Sequence, residues 1–140
     1  MEFCGHAYAQ LDEKNRVRIP VQFKEDLGES PYLIIGANNA LYFFTADGYE
    51  QMRSEFGRAV SGAEAAAIRM MNMYTYRVHY DNQGRYLLPQ VLVDYAKINK
   101  DVIFSGNGDK VELWSKEEYD RYNAENPADI SKFYSFLGRI

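Results

Sequence analysis

The chain repeats itself, and a fold for it must use the same pattern twice. Displaced by 69 positions, Asp12 falls on Asp81, Arg16 on Arg85, Ile19-Pro20 on Leu88-Pro89 and Phe23 on Leu92. The segments before those turns keep their parity. Ala7, Ala9 and Leu11 align with Tyr76, Val78 and Tyr80, and the other face pairs His6, Tyr8 and Gln10 with Thr75, Arg77 and His79. Alternation with period two is the pattern of a half-buried strand. One inserted residue then shifts the offset to 70, bringing Gly36 onto Gly106, Leu41 onto Val111, Phe43-Phe44 onto Leu113-Trp114 and Tyr49 onto Tyr119. Each copy therefore reads strand, tight turn, strand, proline-led helical turn, strand, turn, strand, helix. At 140 residues the chain is one compact unit, or two small halves sharing a core.

Local chemistry supports this division. Pro20 and Pro89 suit the first turn of a short helix, where the missing N–H is not needed. From Pro20 the stretch VQFKEDLG (21–28) runs to a glycine able to form a left-handed C-terminal cap. YLIIGANNALYFF (32–44) and DVIFSGNGDKVELW (101–114) predict hairpins turning on Gly and Asn. Asp47-Gly-Tyr-Glu50, Ser61-Gly-Ala-Glu64 and Ser115-Lys-Glu-Glu118 predict capping boxes, each opening a helix. On the helix from Ala63, the residues Ala63, Ala66, Ala67, Met70 and Met71 form one stripe, expected to pack in the core and bridge the copies.

Composition narrows the function classes. With 46% hydrophobic and 26% charged residues, the chain has an ordinary globular balance. Its longest apolar runs, such as ALYFF (40–44), are far too short to span a membrane, and the first ten residues lack the basic and apolar regions of a signal peptide. A lone Cys4 leaves no partner for an intramolecular disulfide and fits a reducing cytoplasm. A net charge of −4 argues against a nucleic-acid binder that is basic over its whole surface. Placement matters more than the sum: over residues 12–24, Lys14, Arg16, Arg18 and Lys24 outweigh Asp12 and Glu13.

An enzyme needs a constellation of reactive groups, and none assembles here. His6 and His79 sit at non-equivalent places in the two copies, and Cys4 with His6 has no third partner nearby, so no metal site is expected. SGNGDK (105–110) holds only a bare G-x-G aligned with a hairpin turn, too little for a phosphate-cradling loop. The expectation is no catalytic activity, no cofactor and no small-molecule substrate.

The twin turns carry the remaining signal. In Asp12-Glu-Lys-Asn-Arg16 and Asp81-Asn-Gln-Gly-Arg85 the aspartate can accept backbone N–H bonds at the start of the turn. Asn15 and Gly84 share a place, and both tolerate positive φ. An Asp–Arg pair closing a surface β-turn would account for one copy. Turn formation does not require Arg at the fifth position, however, and here it recurs. A guanidinium at a hairpin lip suits a phosphate or a guanine edge, because its planar fork donates two parallel hydrogen bonds.

These paired D-x-x-[GN]-R turns, each followed by an apolar-Pro step and a short helix, resemble the MraZ family of bacterial transcriptional regulators over residues 1–122. The resemblance implies an α+β, mainly β fold. In it, two tandem AbrB-like swapped-hairpin β modules form a pseudo-twofold barrel with short helices. Residues 1–56 would be the first module, 57–73 a linking helix region, 74–122 the second module and 123–140 a C-terminal helical tail. It also implies a cytoplasmic, nucleoid-associated, ring-shaped homo-oligomer, with no membrane contact, whose partner is double-stranded DNA. The expected targets are short repeated promoter boxes upstream of the division and cell-wall gene cluster, its own promoter included, and the usual role is repression.

Carried over by position, the DNA-binding set is Arg16 and Arg85 with Asp12 and Asp81, together with Lys14, Arg18, Asn15 and Gly84. The family pattern favours Lys then Gly before the Arg. The first copy keeps Lys14 but has Asn15, and the second keeps Gly84 but has Gln83, one phosphate-reaching charge fewer. The alternative is an AbrB-like interaction or antitoxin-type module without independent DNA regulation. Such chains usually have one module and a disordered tail. Here NPADISKFYSFLGRI (126–140) places Ile130, Phe133, Tyr134 and Leu137 on one helical face, to pack on a neighbouring subunit or on its own chain.

Overall fold

The first strand of each copy finds its partner in the other copy. The computed structural model describes residues 2–56 and 61–139. The first copy supplies β1 (His6–Gln10), β2 (Arg16–Arg18), α1 (Val21–Leu27), β3 (Tyr32–Ile35), β4 (Leu41–Phe44) and α2 (Ala46–Phe56). Helix α3 (Gly62–Met73) follows. The second copy then gives β5 (Tyr76–Arg77), β6 (Arg85–Leu87), α4 (Gln90–Tyr95), β7 (Asp101–Asn107), β8 (Lys110–Ser115) and α5 (Lys116–Glu125), and the chain ends with α6 (Ile130–Leu137). Strands β1-β7-β8-β4-β3-β5 form one antiparallel sheet in that order, while β2 and β6 pair with each other as a separate two-stranded ribbon, and Tyr86 of β6 also bridges to Tyr80.

Exchanging each strand for its repeat mate turns the sheet order into its own reverse. Both central ladders have mates facing each other: Tyr42 opposite Glu112 in β4–β8, and Val17 opposite Tyr86 in β2–β6. A twofold relation between the copies therefore runs through these two pairs. The architecture is mixed α+β and dominated by antiparallel strands, as expected. The expected pseudo-twofold barrel does not close among the described residues. Among the described residues the sheet stays open because β1 pairs only with β7 and β5 only with β3, and the three-residue β2 and β6 leave the sheet to join one another.

The ladders also correct one alignment. Leu33 faces Phe43 as Phe104 faces Leu113, so Leu33 and Phe104 are mates, two positions beyond the starting offset. Both lie in the central core. Matching Gly36 to Gly106 would put Leu33 with Ile103, which faces the other side of the sheet against Trp114. The central core joins Leu33, Leu41, Phe43, Phe104, Val111 and Leu113 of the sheet to Val17 and Tyr86 of the ribbon and to Phe23 and Leu92 of the short helices. Each such side chain contributes roughly 1.5–3 kcal/mol by leaving water.

At two of the three expected capping boxes the serine half forms, while Pro20 and Pro89 stand at the N-cap, one residue before their helices. The Ser61 and Ser115 hydroxyls accept from the Glu64 and Glu118 N–H at 3.0 and 3.4 Å. Helix α2 instead opens two residues earlier than the box at Asp47, with the Thr45 hydroxyl accepting from Gly48 N–H at 2.9 Å. Gly28 does end α1 with positive φ (88°), though its ψ of −174° is extended rather than left-handed helical.

The stripe on α3 is not core: Ala63, Ala66, Ala67 and Met70 are exposed, and only Met71 packs, against Ile34, Phe44 and Tyr49. An alanine-rich stripe has too little side chain to hold a helix onto the sheet by itself. The linking region's residues 57–60 lie outside the described residues. The α6 residues Ile130, Phe133, Tyr134, Phe136 and Leu137 are all exposed, so the tail does not pack on its own chain among the described residues. No described helix is long and apolar enough to cross a membrane.

Candidate nucleic-acid interface

The two turns are built alike, bond for bond. Asp12 Oδ1 accepts from the N–H of Lys14 and of Arg16, each at 2.9 Å, and its Oδ2 accepts from Arg16 Nε at 2.6 Å. Asp81 Oδ1 accepts from the N–H of Gln83 at 2.9 Å and of Arg85 at 2.8 Å, and its Oδ2 from Arg85 Nε at 2.9 Å. The backbone closes the same way, with Asn15 N–H on Asp12 O and Gly84 N–H on Asp81 O, both at 3.0 Å. Each loop needs positive φ at its fourth place, met by Asn15 (63°) and Gly84 (75°). The backbone N–H of the arginine, more than any other group, holds each carboxyl below its usual range, because it donates to the ionised form.

This geometry separates the roles of the candidates. The aspartates spend their oxygens on the turn and on the arginine's Nε. Each arginine is therefore clamped at the root of its guanidinium, and among the described residues the side-chain hydrogen bonds of Arg16 and Arg85 run through Nε alone. Their side chains stay 30% and 23% exposed, so neither is buried in the core. Asn15 gives the loop its handedness and ties it to helix α4 through Nδ2, which donates to Gln90 Oε1 at 2.9 Å.

The ribbon puts both turns on one surface. In its antiparallel register Arg16 faces Leu87, Val17 faces Tyr86 and Arg18 faces Arg85. Residues directly opposite, or two apart on a strand, share a face. Val17 and Tyr86 point into the core, 1% and 5% exposed. Arg16, Arg18, Arg85 and Leu87 consequently form the outer face, and the exposed Lys14 stands at the first tip.

One cation outside the candidate set lies beside them. Lys24 Nζ sits 4.7 Å from the centre of the Tyr80 ring, and a Cβ at Gly84 would stand 2.7 Å from that nitrogen. Arg18 Nη1 donates to the backbone carbonyl of Gln83. The excess of positive charge over residues 12–24 was a signal for Lys24. Its place on a helix, aligned with the buried Val93, was not.

A family model described as "MraZ protein, putative antitoxin-like" matches twice, over residues 3–70 and 71–133. The chain belongs to the MraZ family. Among MraZ relatives, one from Clostridium tetani is 35% identical over 126 residues, 89% of each chain. One from Clostridium acetobutylicum is 34% identical over 131 residues, 92% of each. One from Caldanaerobacter subterraneus subsp. tengcongensis is 36% identical over 129 residues, covering 91% of this chain and 90% of the relative. All three are named "Transcriptional regulator MraZ". The two matched MraZ segments divide the chain near the end of α3, so each holds one clasped turn.

Proposed function

We propose that the chain is a sequence-specific DNA-binding transcriptional regulator that reads duplex DNA with the outer face of its β2–β6 ribbon. The observation that carries this reading is the shared face of Arg16, Arg18 and Arg85. A two-stranded ribbon fits the major groove, about 12 Å wide, and an arginine fork matches both phosphate and the O6/N7 edge of guanine. The names of the relatives point the same way. In this reading Arg16 and Arg85 contact DNA, Lys14 and Arg18 add charge, and Asp12, Asp81, Asn15 and Gly84 hold the tips in shape. The structural units are the two modules, 1–56 and 74–122, joined by the 57–73 region.

The active form is a homo-oligomer, a ring by family resemblance, which multiplies tips along repeated boxes. The exposed apolar face of α6 supports self-association, since contiguous exposed apolar surface marks an interaction site. By the same resemblance the targets are repeated boxes upstream of the division and cell-wall genes, the usual effect is repression, and the protein works on the nucleoid in the cytoplasm.

A second reading, an antitoxin-type interaction module, is favoured by that same apolar helix and by the family's description as antitoxin-like. A nuclease footprint of the purified protein over the region upstream of its own gene separates the two. Protection at evenly spaced short boxes is the expected result, and no protection would leave only the interaction module.

A further inference from the structure

The twin turns differ in what surrounds them. Under the repeat, Arg18 corresponds to Leu87 and Lys24 to Val93, so two cations of the first copy have apolar mates in the second. Both cations reach across the ribbon to the second turn. Arg18 is bonded to the Gln83 carbonyl, and Lys24 Nζ lies against Gly84 and over Tyr80. The mates cannot reciprocate: Leu87 is apolar, and Val93 is buried in the core.

Lys24 also stands apart from the other half-buried lysines. Of the half-buried lysines, Lys110 pairs with Asp109 and Lys116 with Asp120, whereas Lys24 has no carboxylate or hydrogen-bond partner among the described residues. A cation held on an aromatic face beside a glycine, with its donors unspent, is set up to receive an anion.

We propose that the second turn is a composite anion site, completed by Arg18 and Lys24 of the first copy around Gly84 and Arg85, which holds a backbone phosphate of duplex DNA. The inference rests on the DNA-binding reading and deepens it. The missing lysine at position 83 is replaced from across the ribbon. Gly84 is then required for two reasons, its positive φ and the space occupied by Lys24 Nζ. The first tip, by contrast, relies on its own Lys14 and Arg16. The two ends of the ribbon thus grip DNA by different means, and the chain sits on a duplex with a defined direction.

The test measures equilibrium binding of the full chain to two duplexes of equal length across a salt series. One duplex is the region upstream of the chain's own gene, and the other is unrelated in sequence. Lys24→Gln should weaken binding to both by the same factor and reduce the slope of log affinity against log salt by about one. Lys24→Arg should keep the wild-type slope. In double-mutant cycles, Lys24→Gln should be coupled to Arg85→Ala and additive with Arg16→Ala.

An unchanged slope for Lys24→Gln, a loss confined to one sequence, or coupling to Arg16 in place of Arg85 would each overturn the composite site while leaving the DNA-binding reading intact. Failure of the wild-type chain to bind either duplex would overturn both.

Discussion

Arg18 and Arg85 stand directly opposite each other across the β2–β6 ladder, two guanidinium groups on one exposed face. Like charges in register oppose strand pairing by roughly 0.2–1 kcal/mol. The hydrogen bond from Arg18 to the Gln83 carbonyl offsets this, at about 1 kcal/mol. The pair is thus close to neutral for folding and concentrates charge where a polyanion would relieve the repulsion. Arg18→Thr, which keeps good strand propensity, should change unfolding free energy by less than about 1 kcal/mol. It should nevertheless weaken duplex binding about tenfold. Chemical denaturation and fluorescence anisotropy on the same samples read both quantities, and a large stability loss with unchanged affinity would assign Arg18 to the fold.

The aspartates give a test in which position and charge predict opposite signs. Asp12→Asn and Asp81→Asn each remove a negative charge beside the ribbon, which should tighten DNA binding if only net charge matters. The amide Oδ1 can still accept the turn's backbone N–H bonds, but Nδ2 cannot accept from the arginine's Nε. The guanidinium then loses its clamp. Weaker binding is the expected outcome for both variants, and tighter binding would mean that the clasp does not position the arginines.

The same clasps set a pH dependence. Both carboxyls are held below their usual range in the folded chain, chiefly by the N–H of Arg16 and of Arg85. A carboxyl lowered on folding contributes stability that is complete above its unfolded value and is lost as pH falls through its native value. The melting temperature of the wild type should therefore exceed that of the Asp12→Asn/Asp81→Asn double variant at neutral pH. The gap should close as the solution is acidified through the carboxylate range. A gap independent of pH would show that the stabilisation does not depend on ionised aspartates.

How much of this could be read from the chain alone differs from residue to residue. The repeat, the alternation of Ala7, Ala9 and Leu11, and the turn chemistry of Asp12 and Asp81 are written in the sequence itself, and all reappear in the fold. Partner choice is not local. Period two says that a strand has two faces but not which strand lies beside it, so the β2–β6 ladder that joins the tips was hidden. The glycine match at 36 and 106 concealed a two-residue shift that only side-chain facing reveals, through Leu33 and Phe104. The stripe on α3 showed a periodic apolar face without showing whether this chain covers it. Lys24 reaches the second tip through the ribbon pairing, a relation that no spacing in the sequence expresses.

The shared core makes a prediction separate from DNA. Leu41 and Leu113 face each other across the β4–β8 ladder, both fully buried, beside the Tyr42–Glu112 pair on the twofold. Leu113→Ala leaves a cavity between the copies and should cost about 2–5 kcal/mol. Because the core is common to both copies, denaturation should remain one cooperative transition at a lower midpoint. Two separated transitions would mean that the copies fold independently.

The most direct test of the account compares equilibrium duplex affinity for the wild type and the Arg16→Ala/Arg85→Ala double variant at one fixed salt concentration, with the melting temperature of each recorded. Removing the two clamped guanidiniums should weaken binding at least tenfold, about 1.4 kcal/mol, while the melting temperature moves by only a few degrees. Equal affinity for the two proteins would contradict the claim that the duplicated turns are the DNA-reading surface.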